Sequence, residues 1–502
     1  MEHLDSNQGI SERRPSRWLV TWAETLQDER IGLEGFLDMS MMDVQQEYWV
    51  PERVREYLGS MGFLLPLEPM EGYIRSWHEW MSASGSFYEY KDTDGFGRVY
   101  EVHRRSIHPA MRVCQEWGSL LLNDKTEVVT DNQACTDWLG SFFSSTDFMP
   151  AAQATVVKAF GMGTGAWALW VDAGAKKVRV RHYDARMVVP LSWDEEGVTE
   201  AAFVTRVFYR GKAVDQLQMH LLGPLGTYQI RTVCFDADGN LLEPEGILGE
   251  YDTGCPYPTF SIVKPAVTNT RVDFSPYGQS VFADAIDAIQ AVDLAFDALI
   301  TEVDVSKMRI FLSDVMFDKE TDGKGRRVSI PFGRQDCTVF RKVMSTEDLV
   351  QDFAPALRTD AQAEAFRISL QMLGDLCGFG LSYFDFSDAR GFVKTATEVS
   401  SDNSALMRNI ARHEHVLEGS LAGISHALLH MGRSFGDALP DEGEVRVQFD
   451  DSIITDTYAE KEQDMKEVGV TMHAWEYRMR WYGESEAVAR TRAQGLERTA
   501  AT

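Results

Sequence analysis

The sequence predicts an α+β protein in which a strand-rich half precedes a helix-rich half. Three observations point there. Between residues 165 and 260 apolar residues alternate with period two, the pattern of half-buried strands. From 278 onward they recur at three and four, the pattern of amphipathic helices. Between two of those helices lies a short stretch broken by turn signals and strand-like runs.

Composition bounds the reading. The chain has 502 residues, with 44% hydrophobic and 25% charged, an ordinary globular balance. At ~100–200 residues per domain that is about three domains, or one with large insertions. The 77 acids outnumber the 49 lysines and arginines, for a net charge of −28. Gripping nucleic acid requires neutralising phosphates. A chain so acidic cannot coat itself in DNA, and meets it locally or repels it.

Residues 1–80 are rich in Trp, Met and Glu at helical spacing. Tyr88 to Val102 alternates around Asp92-Thr93-Asp94-Gly95, which predicts a hairpin. Residues 108–160 read as helical, with Met111, Cys114, Trp117, Leu120 and Leu121 on one stripe. Trp167 to Val171, Val178 to His182 and Gln229 to Cys234 read as strands, and Asp236-Ala237-Asp238-Gly239-Asn240 as a turn.

A long helix is expected over Gly278 to Asp304. Phe282, Ala285, Ile289, Val292, Phe296 and Leu299 lie on its apolar face, and Asp284, Asp287 and Glu302 on the other. Met308 to Leu312 and Cys337 to Phe340 are strand-like, with a turn at Asp322-Gly323-Lys324-Gly325. A second helix is expected from Thr359, opened by a capping box with Gln362 and carrying Ala361, Ala365, Ile368, Met372 and Leu376. It stops at Gly378 and Gly380. An aromatic loop follows over 379–394. Thr395 and Glu398 then form a capping box that opens the longest helix, stepping from Val399 to Met431. Ser434 to Glu467 holds 11 acids against 3 basic residues and includes the strand Val445–Phe449. The last ~45 residues read as helical.

The six cysteines form no CxxC pair and read as reduced thiols. Met1–Asp5 carries no basic region followed by an apolar run, so no signal peptide is expected. Ala151–Val171 includes Gln153, Lys158 and three glycines, too polar for a membrane span. Cytoplasmic assembly without a membrane is expected.

No phosphate-binding loop is visible: Gly211-Lys212 lacks the upstream glycine, and Gly161-Met162-Gly163-Thr164-Gly165 precedes a strand and reads as a tight turn. His426 and His430 share a helix face, but a zinc site needs three or four ligands. His413-Glu414-His415 is no stronger. The run from Asp318 lacks the glutamate that closes a calcium loop, with Ser329 in its place. Asp450, Asp451 and Asp456 sit in an acidic run and read as solvated. No catalytic constellation and no cofactor is expected. Against the acidic background, Lys324, Arg326, Arg327, Arg334, Arg341 and Lys342 form a basic patch, a surface for neighbouring acids or for an acidic partner.

The order of these segments resembles a known family. Pro276 to Asp287 resembles the opening of the first stem helix in portal proteins of long-tailed, siphovirus-like bacteriophages. Lys394 to Ser404 resembles the start of their long helix after the tunnel loop, and Val447 to Asp456 their C-terminal strand. Leu217 to Leu221, Tyr228 to Arg231 and Asp238-Gly239 fit their β-rich wing. The resemblance runs from about residue 100 onward.

It implies a portal fold assembled as a ring: wing 1–272, first stem helix 273–306, β-rich clip 307–352, second stem helix 353–378, tunnel loop 379–394, long helix and wing strand 395–456, and a helical crown 457–502. It implies a non-enzymatic dodecamer at one capsid vertex of the virion, the channel through which double-stranded DNA is packaged and ejected. Terminase, a head–tail adaptor, and major capsid and scaffolding proteins are the implied partners. Tyr383, Phe384, Asp385, Phe386, Asp388, Arg390 and Lys394 of the loop would then meet DNA, with Asp284, Asp287 and Glu302 lining the channel. The six basic clip residues would meet terminase or adaptor. The competing readings are a metal-dependent nuclease or hydrolase using scattered carboxylates, and another tail or baseplate protein.

Overall fold

A computed structural model describes residues 48–93, 97, 99–172, 177–209, 211–243, 249–305, 309–313, 319–321, 327–329, 339–342, 350–353, 358–384, 396–449, 461, 464–469, 471–482 and 488–493, with backbone alone within 304–353 and 396–404. Among the described residues, helices α1 (Glu52–Ser60) and α2 (Leu67–Ser82) come first. α2 buries Met70, Ile74, Trp77 and Met81, spaced three to four apart as one helix face requires. The antiparallel hairpin β1 (Glu89–Thr93) and β2 (Val99–His103) follows, as the alternation predicts.

α3 (Pro109–Leu121) then leads into β3 (Glu127–Thr130), α4 (Gln133–Ser145) and α5 (Phe148–Met162). Asn132 caps α4 by accepting the Ala134 amide at 3.0 Å. Strand β3 interrupts what the sequence presents as continuous helix.

The strand-rich part comprises β4 (Gly165–Asp172), β5 (Lys177–Asp184), β6 (Val188–Trp193), β7 (Val198–Tyr209), β8 (Lys212–Leu222), β9 (Tyr228–Phe235), β10 (Leu241–Leu242), β11 (Glu250–Asp252) and β12 (Phe260–Val263). It forms a three-stranded sheet, β12-β4-β5, and a six-stranded sheet, β10-β9-β8-β7-β6, with β11 also on β9. The turn after β9 is held by Asp236, whose Oδ1 accepts the Asp238 and Asn240 amides at 2.9 and 2.8 Å. The Asn240 side-chain amide, which also donates to this carboxyl, and then those backbone bonds keep it below the ordinary aspartate range.

The second half runs α6 (Ile286–Val305), then β13 (Arg309–Ser313), β14 (Lys319–Thr321), β15 (Arg327–Ser329), β16 (Val339–Lys342) and β17 (Val350–Phe353), then α7 (Thr359–Leu376) and α8 (Ala396–Ser434). The insert between α6 and α7 makes a β16-β13-β17 sheet and a β14-β15 hairpin. α8 is 39 residues long. Strand β18 (Val445–Gln448) returns to pair antiparallel with β3, and α9 (Ala474–Tyr482) follows. Ala151–Val171 divides into a helix and a strand, and among the described residues no helix is long and apolar enough to cross a membrane.

Two helix starts differ from expectation. The helix expected from Gly278 begins at Ile286, because the intervening amides are already taken. The Val281 amide donates to Phe160 O at 2.9 Å, that of Ala283 to Ser280 O and that of Ala285 to Phe282 O. Gly278 packs directly on Gly163: a Cβ on Gly278 would lie 2.3 Å from Gly163 O, and one on Gly163 would lie 2.5 Å from Gly278 O. Gly163 ends α5 at φ +82°, so the glycine-rich run is a turn, as the sequence suggests. α7 begins with Arg358 as N-cap and no side-chain cap, so Thr359 does not act as the capping residue.

One core cluster threads α1 to α5, the small sheet, the start of α6, the end of α7 and most of α8. Cys114, Cys135, Cys234, Cys255 and Cys377 are free and buried within this body. Cys337 lies outside the described residues.

Candidate functional site

The helix pair α6/α7 carries exposed apolar surface. The two helices touch through Phe296 and Phe366, ring centroids 6.4 Å apart. α6 is rooted in the body by Asp293, a fully buried carboxylate. It accepts the Tyr88 hydroxyl at 2.7 Å, the Ser106 hydroxyl at 2.8 Å and the Ile107 amide at 3.1 Å. Burial and that bond push the Tyr88 phenol well above its usual range. At the far end Arg358 grips Glu302 with Nε and Nη2 at 3.0 and 2.7 Å.

Leu370, Leu373 and Cys377 of the α7 segment are buried. Ala361, Ala365, Ile368, Met372 and Leu376 lie on another face, spaced three and four apart, and all five are exposed. Ile368, Met372 and Leu376 expose 45, 54 and 51% of their surface, and the exposed acids Glu364 and Asp375 flank the stripe. An uncovered apolar stripe of this length marks a surface that meets something else. On α6, Asp287, Leu294, Ala298 and Thr301 also share an exposed face.

The three acids assigned to the channel wall differ in state. Asp284 is exposed but held by Arg271 at 2.6 Å and by Gln279 at 3.1 Å. Glu302 is spent on Arg358, which lowers its carboxyl below the ordinary range. Asp287 is exposed and has no ion-pair partner among the described residues.

Tyr383 and Phe384, the two channel candidates of the loop within the described residues, are anchored to the body. The Tyr383 hydroxyl donates to Glu116 Oε2 at 2.8 Å, and its ring lies 4.7 Å from Phe379 and 5.0 Å from Phe384. Phe379 stacks on Trp117 at 4.6 Å. The Trp117 indole donates to Cys377 O at 3.2 Å and meets the His413 ring at 4.6 Å. Asp385, Phe386, Asp388, Arg390 and Lys394 lie outside the described residues.

Of the basic insert residues, Arg327 is on β15 opposite Thr321, whereas Arg341 and Lys342 are on β16 opposite Leu312 and Ser313. The backbone therefore splits these three between two small sheets. Lys324, Arg326 and Arg334 lie outside the described residues.

Two of the histidines weighed as ligands, His413 and His426, have other partners. His413 Nδ1 accepts the Ala266 amide at 2.9 Å, and burial drives its pKa down to about 4. His426 Nδ1 is 2.9 Å from Glu442 Oε1, and the ring stacks on Tyr257 at 4.9 Å. Among the described residues no three His, Cys, Asp or Glu side chains gather as a metal site. Asp450, Asp451 and Asp456 lie outside them.

Asp293 and the Trp117–Phe379–His413 hub were not legible as a site, because their partners come from segments 186 to 296 residues apart in sequence. Local signals existed only as an acid on a helix and a lone Trp.

No family model and no curated protein matches the chain. Among solved structures it is similar to "Neck of native GTA particle computed with C12 symmetry", at 11% identity and TM-score 0.37. It is also similar to "Neck of empty GTA particle computed with C6 symmetry", at 11% identity and TM-score 0.38. A third is "Virion of native gene transfer agent (GTA) particle", at 11% identity and TM-score 0.34. In each case 74% of this chain and 89% of the other is covered. At that identity and those scores the likeness is one of partial chain path.

Proposed function

We propose that this chain is the subunit of a portal-type ring at one vertex of a tailed-phage capsid, a channel that passes double-stranded DNA in packaging and ejection without chemistry of its own. The observation that carries the reading is the exposed apolar stripe Ala361–Ala365–Ile368–Met372–Leu376 on a helix pair that carries an insert at its tip. Fully burying an Ile, Met or Leu side chain is worth about 1.5–3 kcal/mol, so covering the exposed half of each is worth roughly half that. Three such side chains left in water favour association with a second copy.

The two outward faces differ, one on α7 and one centred on Leu294 and Ala298 of α6. Contact between unlike faces is head-to-tail, and closes into a ring when the rotation permits. Within this reading the insert is the clip that meets terminase and the head–tail adaptor, and the wing meets capsid and scaffolding proteins.

The test is the particle formed by the purified chain, by mass measurement and negative-stain imaging. A ring with a central hole is expected. The double variant Ile368→Glu, Met372→Glu is expected to remain monomeric with an unchanged melting temperature, since both positions are exposed in the single chain. A compact wild-type monomer at high concentration overturns the reading.

A further inference from the structure

A groove of about 570 Å³ lies between α1, the turn leading into α2 and the loop before Tyr277. Its apolar wall includes Phe63, Leu64, Leu65, Trp193 and Phe274. Leu64 and Phe274 are 80 and 97% exposed. Phe274 also holds a left-handed backbone, φ +58°, which is uncommon for a bulky residue. Trp193 Nε1 donates to Phe274 O at 3.2 Å and keeps that loop in place. Such backbone strain concentrates where a chain holds something.

The groove also has a sign. Glu52, Glu56, Glu68 and Asp273 border it, are exposed, and have no ion-pair partner among the described residues. The one basic lining residue, Arg55, is neutralised by Glu71 at 2.7 Å. The fitting occupant is a segment that mixes cations with large aromatic and aliphatic side chains.

We infer that this groove is the seat of the chain's own segment Arg13–Trp22, whose Arg13, Arg14 and Arg17 face the carboxylates while Trp18, Leu19 and Trp22 cover the apolar wall. The 47 residues before Tyr48 contain this segment, and the chain enters the described body directly at the helix that lines the groove. At up to ~3.5 Å per residue, the connection from Trp22 to Tyr48 is ample. The C-terminal helix α9 also mixes arginines with aromatics, but there Arg480 pairs with Asp464 at 2.9 Å and Arg490 lies over Trp475. The inference does not depend on ring formation.

The experiment uses the full chain with p-benzoylphenylalanine in place of Leu64, irradiated and mapped by peptide mass spectrometry. Adducts within residues 13–22 are expected. Reversing the groove (Glu52→Arg, Glu56→Arg, Asp273→Arg) or the segment (Arg13→Glu, Arg14→Glu, Arg17→Glu) is expected to cut their yield about tenfold, the effect of roughly 1.4 kcal/mol. Combining both reversals is expected to restore it. The segment reversal leaves the groove untouched, so misfolding of the groove variant does not obscure the result. Adducts elsewhere, no adducts, or a yield indifferent to either reversal overturns the inference.

Discussion

Asp293 and Tyr88 meet inside the protein at 2.7 Å, a carboxylate on α6 and a phenol 205 residues earlier in the chain. With Ser106 and the Ile107 amide, Tyr88 gives a buried charge neutral donors only, with no cation bonded to it among the described residues. This is what fixes the base of α6 to the body. Asp293→Ala strands those donors in the core and is expected to cost about 1–3 kcal/mol. Thermal unfolding measures it, and Asp293→Asn, which keeps an acceptor, is expected to lose less.

Gly163 and Gly278 carry a second expectation. Each approaches the other's carbonyl so closely that no Cβ fits on either residue. Gly278→Ala and Gly163→Ala are each expected to destabilise by about 1–3 kcal/mol or more, through overpacking. Gly163→Ala adds left-handed strain at φ +82°. Denaturant unfolding of the two single variants checks this, and an exposed control, Gly140→Ala, with open space around its Cα, is expected to be neutral or better.

The buried imidazoles set a pH dependence. His413 is held neutral, its pKa lowered to about 4, and His182 likewise to about 4, in both cases chiefly by burial. A histidine depressed in the folded state binds its proton preferentially when unfolded. The stability it contributes is therefore complete above about pH 6.5 and falls as pH drops toward 4. Each site adds a slope of at most about 1.4 kcal/mol per pH unit in that window. Comparing wild type with His413→Gln across pH 4 to 7 is expected to show the shallower dependence in the variant.

Glu302 and Arg358 join the far ends of α6 and α7. The carboxyl is held below its ordinary pKa by the guanidinium, so the contact is present at neutral pH and is lost as pH falls below the usual glutamate range. Glu302→Gln is expected to speed amide hydrogen exchange at the last turn of α6 and the first turn of α7, without changing exchange at the Asp293 end. Equal exchange in both turns would mean the pair does not fasten the helices.

Much of the order was readable before the structure. Helix, small strand-rich insert, helix and very long helix were legible because each boundary carries glycines or a change of period. The turn at Asp236 was legible because its side chain builds the turn locally. Residues 278–285 were not: they keep helical spacing, yet Phe160 and neighbouring carbonyls claim their amides. Strand β3 was missed because four residues are too few to show a period, and its partner β18 lies more than 300 residues away. At the site, the stripe on α7 was visible as residue types, whereas its exposure depends on which other face α6 covers. Tyr383 was visible as a loop aromatic, and its bond to Glu116 was not.

The central claim is that Ile368, Met372 and Leu376 are covered by a neighbouring copy. The most direct measurement is the mass and shape of the purified particle for wild type beside Ile368→Glu, Met372→Glu. A hollow ring from wild type and a folded monomer from the variant are expected. A wild-type chain that stays single at high concentration, or a variant that assembles as wild type does, would contradict it.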